Sequence, residues 1–439
     1  MPMFNPAQEK ISRLFTSVLT APLPVMDNAP VTTLARGVGL SSASIVSGGA
    51  GYSAGDNLTP AGGESDFTGR IRVTGVDENG VITSAAVQTA GVYSVTPSNP
   101  VEVTGGDGAG AQFNLGWNAS TASSIYNPKL FSRADDSAFE FLGYSPKDPT
   151  PGSGYRGNGV QNGTQAVIEF YSDADYLEYR FSGGNYQGDV YVNGQRIAAK
   201  AVKTDTSGAS YVYAIDWSGA SEIRHYRLCG INTGFGGVNV AQQYSVWAPT
   251  GARKLLAWQM GDSYTVGIGA TQGSFNMFRV MCDSLGIEGI ADGISGAGWT
   301  SIQDGRVPPE RVDMKLGSIT RAPDLVFFSM GYNDAAVGRT EQLKENIRLS
   351  YKRVRELCPA AIVINIGPAT PLGRVGIITT IRQAEIEVCE ELNIPFVDVD
   401  DWVSAANKSM YTGGDGVHPT DAGHFYIGVR IAQAVSEII

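Results

Sequence analysis

The sequence predicts a multidomain protein. It should hold a Gly-rich all-β N-terminal module, a jelly-roll-like β-sandwich in the middle and a C-terminal three-layer α/β domain with a mostly parallel sheet. Three observations predict this. The chain has 439 residues, more than one domain ordinarily holds. It carries 55 glycines against 17% charged residues, a composition that favours strands and turns over helical bundles. Near Trp247-Ala248-Pro249-Thr250-Gly251 the two-residue alternation of the first half gives way to strands alternating with helices, the mark of βαβ units.

Residues 1–35 read as an N-terminal attachment segment, with a short amphipathic stretch from Ala7 to Leu19 and then Pro22, Pro24 and Pro30. Glu9 and the broken run from Leu14 to Met26 predict neither a signal peptide nor a membrane span. Residues 36–118 form the Gly-rich β module, which carries a weak internal repeat. Ala50-Gly51-Tyr52-Ser53 is echoed by Gly91-Val92-Tyr93-Ser94, and Gly62-Gly63 before Arg70–Val73 by Gly105-Gly106 before Gln112–Leu115. Asp77-Glu78-Asn79-Gly80 is the turn between two alternating runs. Residues 119–164, rich in Ser, Asn, Pro and Gly, read as a linker with one strand.

Residues 165–250 read as the sandwich. Tyr176–Phe181 and Tyr211–Trp217 are strands, and Asn193-Gly194 is the tight turn of a hairpin. Residues 251–439 form the α/β domain. Its expected strands are Leu255–Met260, Leu325–Met330, Ala361–Ile366 and Phe396–Val399. Its expected helices are Phe275–Leu285, Glu341–Cys358, Ile378–Leu392 and a C-terminal one capped by Thr420.

Four short blocks lie where these strands end: Gly261-Asp262-Ser263, Gly293-Ile294-Ser295-Gly296, Gly331-Tyr332-Asn333-Asp334 and Asp415-Gly416-Val417-His418. Ligands of parallel sheets bind at such strand ends. A serine hydroxyl needs a base to become a nucleophile, and a tetrahedral oxyanion needs donors already aimed at it. The order Ser, Gly, Asn, His resembles the SGNH (GDSL-like) hydrolase family, with Tyr264 standing where leucine gives that name. The resemblance implies Ser263 as nucleophile, His418 as base and Asp415 as its orienter. It implies an oxyanion hole made by the N–H groups of Ser263 and Gly296 and the Asn333 amide. A side chain at Gly296 would crowd the substrate. A second pair, Asp421 and His424, competes. It falls at the start of the C-terminal helix, so His424 is expected to pack or cap, and His225 is expected to be structural.

The net charge of −11 and the lack of a Lys/Arg run argue against a nucleic-acid partner. Cys229, Cys282, Cys358 and Cys389 show no metal-ligand spacing, so no metal and no cofactor are expected. Gly48–Asp56 and Val103–Leu115 resemble modules of bacteriophage tail fibre and tailspike proteins. A sandwich ahead of the hydrolase region resembles the layout of some carbohydrate esterases. Together these imply a tail-associated serine esterase that removes O-acetyl groups from a bacterial surface polysaccharide, capsule or O-antigen. They imply a homotrimer, joined to tail or baseplate proteins through the N-terminal segment, placed on the virion tail and without a membrane partner. Tyr264, Trp299, Arg306 and Tyr332 are the candidates for lining the sugar site. Two rival readings stand: a glycan-binding tail protein without turnover, and a cell-encoded carbohydrate esterase.

Overall fold

The computed structural model describes residues 25–135, 137–142, 165–182, 187–231, 234–250, 253–303, 305–317, 319, 321–336, 340–373 and 376–439. The C-terminal domain holds a five-stranded, all-parallel sheet. Its strands are β1 (Leu256–Gly261), β2 (Glu288–Gly293), β3 (Leu325–Ser329), β4 (Ile362–Ile366) and β5 (Phe396–Val397). Their order across the sheet is β2-β1-β3-β4-β5. The connection therefore changes direction between β1 and β3, which opens a crevice at their carboxyl ends.

Helices cover both faces, as the period-2 alternation of buried strands requires. Leu256, Trp258, Met260, Val326 and Phe328 pack on one side, against α3 (Pro308–Leu316), α4 (Thr340–Leu357) and α5 (Gly376–Leu392). Ala257, Leu325, Phe327 and Ile364 pack on the other side, against α2 (Met277–Leu285) and α7 (Asp421–Ser436). Two single-turn helices, α1 (Ser263–Val266) and α6 (Lys408–Tyr411), complete the set. Thr420 caps α7 as expected, its hydroxyl accepting from the Gly423 N–H. The sequence reading missed α3, whose start is set by Pro308 and Pro309 in its first turn, where the missing N–H groups cost nothing.

Among the described residues of the first half, the strands pair antiparallel. The Gly-rich module is an eight-stranded sheet running from Gly39–Ala50 to Ser123–Tyr126 around Leu40, Tyr52, Leu58, Ile71 and Phe113. The Asp77–Gly80 turn forms, with Asp77 Oδ1 accepting from the N–H groups of Asn79 and Val81. The echoed tyrosines sit differently: Tyr93 lies within the strand Ile82–Val95, and Tyr52 lies in the connection that follows the strand Gly39–Ala50.

The sandwich consists of a five-stranded and a seven-stranded sheet, and its limits differ from those expected. Val31–Arg36, placed by the sequence reading in the attachment segment, pairs with the sandwich strand Ser210–Asp216. Lys129–Ser132 and Glu140–Leu142, placed in the linker, pair with Phe235–Val240 and Gln165–Ser172. The Gly-rich module is thus an insertion between two strands of the sandwich. Backbone pairing between segments a hundred residues apart carries no local signature, which is why the sequence hid it. Residues 1–24 of the attachment segment and 143–164 of the linker lie outside the described residues.

The sandwich packs directly on the C-terminal α/β domain. Leu142, Val167, Tyr191 and Cys229 share one apolar core with Leu256 and Ile290. Arg227 Nη2 lies 2.9 Å from Glu288 Oε2 on the edge strand β2, and Arg196 Nη2 donates to Gln272 Oε1 at 2.8 Å. The exposed edge that a parallel sheet would otherwise present is covered in this way. All four cysteines are free and buried, and among the described residues no helix is long and apolar enough to cross a membrane.

Candidate active site

β1 ends in Gly261, and the chain turns at once into α1. A Cβ on Gly261 would lie 1.9 Å from Thr265 Oγ1 and 2.7 Å from the Ser329 carbonyl, so only glycine permits so tight a turn. Asp262 caps α1, its Oδ1 accepting from the Tyr264 N–H at 2.9 Å. Ser263 is the first residue of α1, where an N–H has no acceptor within the helix.

The loop before α7 folds back over α1. Asp415 Oδ1 accepts from the N–H groups of Val417 and His418 at 2.9 and 3.0 Å, which shapes the turn. Tyr264 holds that turn from below, its hydroxyl donating to the Val417 carbonyl at 2.7 Å. His418 Nδ1 then lies 2.6 Å from Asp415 Oδ2, and His418 Nε2 lies 2.8 Å from Ser263 Oγ. Asp415 sits at the surface, and the Val417 N–H first, then His418, lower its pKa to about 2. It therefore stays charged beside the imidazole through the neutral range. This geometry lets a carboxylate fix the tautomer of a histidine that takes a serine proton.

Gly296 and Asn333 come to the same place from the ends of β2 and β3. Gly296 has φ +79°, the left-handed region, and a Cβ there would press on the Gln303 side chain at 3.2 Å. The left-handed backbone at this position favours glycine, and a side chain would also press on Gln303. Asn333 Nδ2 donates to the Ala297 carbonyl at 2.8 Å and makes a longer contact, 3.4 Å, to Asp262 Oδ2. The Asn333 amide thus ties the nucleophile turn to the Gly296 loop.

The candidates for lining a sugar site separate. Tyr332 is half-buried, with its ring centroid 6.4 Å from that of Tyr264. Arg306 is exposed on the loop that leads into α3. Tyr264 is buried and braces the Asp415 turn. Trp299 is a correction: it is 0% exposed, packed against Phe328 and Tyr351, with its indole N–H donating to Glu385 Oε1 at 2.8 Å. A side chain closed off in this way cannot touch a polymer.

His424 also lies elsewhere than the triad. It is buried, its Nε2–H donates to the Ile268 carbonyl at 3.0 Å, and its Nδ1 accepts from the Met277 N–H at 3.3 Å. Burial drives its pKa down to about 4, so it is neutral. His225 stays in the sandwich, 3.7 Å from Glu169.

Three buried carboxyl groups behind the site were not singled out from the sequence: Asp262, Asp334 and Glu385. Burial, then Asp334, push the Asp262 pKa up to about 7, against the opposing Tyr264 N–H bond. The first two carboxyls adjoin motif residues, Ser263 and Asn333. Glu385 had its own signal, because it interrupts the apolar stripe Ile378, Ile381, Val388 of α5 at helical spacing.

Residues 260–425 match the GDSL-like Lipase/Acylhydrolase family. The chain is 29% identical over 194 residues to the GDSL lipase Rv0518 of Mycobacterium tuberculosis (strain ATCC 25618 / H37Rv), covering 40% of this chain and 80% of that protein. In fold it is similar to a family two carbohydrate esterase from Clostridium thermocellum, with TM-score 0.54 and 15% identity, over 69% of this chain and 98% of that one. It is also similar to the salicylyl-acyltransferase SsfX3 of a tetracycline biosynthetic pathway, with TM-score 0.52 and 17% identity, over 71% of this chain and 99% of that one. Both fold matches cover more than the C-terminal domain alone contains. Residues 260–425 are thus similar to the GDSL-like Lipase/Acylhydrolase family, and the chain shares its fold with these two proteins over more than its α/β domain.

Proposed function

We propose that this protein is a serine esterase that removes O-acetyl groups from a bacterial surface polysaccharide, capsule or O-antigen. The observation that carries the reading is the unbroken line from Asp415 through His418 to Ser263, at 2.6 and 2.8 Å. In this reading Ser263 Oγ attacks the acetyl carbonyl and its proton passes to His418 Nε2. Asp415 steadies the imidazolium. The N–H groups of Ser263 and Gly296 and the Asn333 amide receive the oxyanion. His418 returns the proton to the departing sugar oxygen. Water then attacks the acetyl-serine with His418 again as base, and acetate leaves.

A polymer suits the site because the triad opens to solvent, with the His418 and Asp415 side chains 24% and 51% exposed. Half-buried Tyr332, beside Tyr264, exposed Gln303, beside Gly296, and exposed Arg306 are the proposed sugar-contacting residues. The carbohydrate-esterase fold is consistent with this substrate class, although fold alone does not choose a substrate. In keeping with the Gly-rich phrases, the protein belongs to a phage tail. It would be trimeric and held by its N-terminal segment to tail or baseplate proteins.

The test is acetate release by the full chain from a panel of O-acetylated capsules, beside hydrolysis of 4-nitrophenyl acetate. Ser263→Ala is expected to abolish both, and a fluorophosphonate is expected to label Ser263 alone. Capsule binding without acetate release would establish the rival glycan-binding reading. Light scattering that gives a monomer would remove the trimer.

A further inference from the structure

Gly296 sits on a loop whose far end, Trp299-Thr300-Ser301, is gripped from inside the protein. Asp334 Oδ2 accepts from the Trp299 N–H at 2.7 Å. Its Oδ1 accepts from the Thr300 N–H at 2.7 Å, the Thr300 hydroxyl at 2.6 Å and the Ser301 N–H at 3.0 Å. The carboxylate packs so closely that a Cβ on Gly298 would lie 2.4 Å from Asp334 Oδ2. Ser301, gripped in this way, donates through its hydroxyl to the Gly296 carbonyl at 2.8 Å. The Gly296–Ala297 peptide, which adjoins the Gly296 N–H, is thereby held by a chain of bonds that begins at Asp334.

A second grip lies behind the first. Glu385 Oε1 accepts from the Trp299 indole N–H, and its Oε2 lies 3.0 Å from Asn365 Nδ2. Asn346 Nδ2 donates to the Trp299 carbonyl at 2.6 Å. Burial pushes the Glu385 pKa well above the ordinary carboxylate range, against the pull of its Trp299 and Asn365 bonds. Asn365 Oδ1 is buried and without a hydrogen-bond partner among the described residues, so the amide can turn over to accept from a donor placed at Glu385 Oε2.

We propose that Asp334, backed by Glu385 through the Trp299 indole, is a positioning residue for the oxyanion hole. Neither group touches substrate. Asp334 needs acceptors on both oxygens, because donors converge on each. Glu385 instead accepts from side chains, the Trp299 indole N–H on Oε1 and Asn365 Nδ2 on Oε2, and a side-chain amide can turn over to meet a donor where a backbone N–H cannot. The two residues therefore differ in which substitution they tolerate. The inference rests on the esterase reading, since the geometry it protects is that of a donor to a tetrahedral oxyanion.

The experiment compares full-length Asp334→Asn, Glu385→Ala and Glu385→Gln on 4-nitrophenyl acetate, together with inhibition by an arylboronic acid, which forms a tetrahedral adduct on serine. In Asp334→Asn the new NH2 faces a backbone N–H whichever way the amide turns. Its kcat is expected to fall roughly 10- to 100-fold with KM within about twofold, since misplaced donors are felt mainly in the transition state. Boronate affinity should weaken by a similar factor. Glu385→Ala is expected to lose several-fold in kcat, and Glu385→Gln, with one acceptor and one donor, to restore most of it. If Asp334→Asn does not fold by circular dichroism, Thr300→Val removes one grip alone and should still lower kcat and boronate affinity together. Unchanged kcat in the folded variants overturns the proposal, as does a loss confined to KM or a lower active fraction with normal boronate affinity. A wild-type chain with neither turnover nor fluorophosphonate labelling removes the esterase reading, and this inference with it.

Discussion

At the scale of single residues, two Asp-x-x-His pairs six positions apart have opposite fates. His418 points at Ser263 from a surface loop, and His424 is sealed under α1 and α2. His418→Ala is expected to abolish ester turnover as completely as Ser263→Ala, because triad members act as a unit. His424→Gln should leave turnover measurable and change stability instead. The folded pKa of His424 is about 4, below its ordinary 6.5. Between those values the unfolded chain binds a proton that the folded chain refuses. Stability therefore falls as pH drops from 6.5 to 4, and is unaffected by this group above 6.5. Urea midpoints measured over that window should decline less steeply in His424→Gln than in the wild type. An equal slope would mean that His424 is not buried neutral. The choice between the pairs was legible in the sequence from Thr420, whose capping preference puts His424 inside a helix. The burial of Trp299 was not, because a tryptophan near a site looks the same in sequence whether it faces solvent or the core.

At the scale of elements, the ends of β1, β2 and β3 bring Ser263, Gly296 and Asn333 together. Asn333→Ala removes one oxyanion donor and is expected to lower kcat by roughly 10²–10³ with KM little changed. Because the same amide ties the Ala297 carbonyl to the nucleophile turn, some loss of thermal stability should accompany it. Tyr264→Phe tests the brace under the Asp415 turn. Losing the bond to the Val417 carbonyl should cost about 0.5–1.5 kcal/mol of stability and a few-fold in kcat, read by denaturant titration and initial rates. Most elements of the α/β domain were legible, since buried parallel strands and amphipathic helices have distinct periods. The strand at Glu288–Gly293 and the helix at Pro308–Leu316 are harder to read, because Gly289, Asp292 and Gly293 break the apolar run of the first and the second opens on two prolines and then carries mostly charged residues.

At the scale of the whole molecule, the hydrolase domain does not stand free of the sandwich. The composition shift near Pro249 suggests a cut that would leave a working enzyme. The packing argues otherwise. Removing residues before Pro249 would strip Leu142, Val167, Tyr191 and Cys229 from a core they share with Leu256 and Ile290. It would also take Arg227, the cation nearest to Glu288, away from that carboxylate, and expose the edge of β2. Breaking a buried ion pair by removing one partner is strongly destabilising. A fragment starting at Pro249 is therefore expected to aggregate or melt well below the full chain, as seen by light scattering and thermal denaturation. A fragment as stable as the whole would show that the shared core contributes little.

The sequence by itself determined the order of the proposed catalytic residues: a serine, a glycine and an asparagine, each behind a strand, and an Asp-x-x-His pair in the loop before the last helix. Such blocks are local, and their spacing along the chain survives without knowledge of the fold. It also determined the change from β-alternation to βαβ spacing, because hydrophobic period is a local property. Only the tertiary structure decided that the Gly-rich module interrupts the sandwich, that the two later domains share one core, and that Asp334 and Glu385 grip the Gly296 loop from behind. Each of these depends on contacts between residues tens to hundreds of positions apart. Such contacts are made by packing and hydrogen bonding in three dimensions and leave no period or motif in the chain.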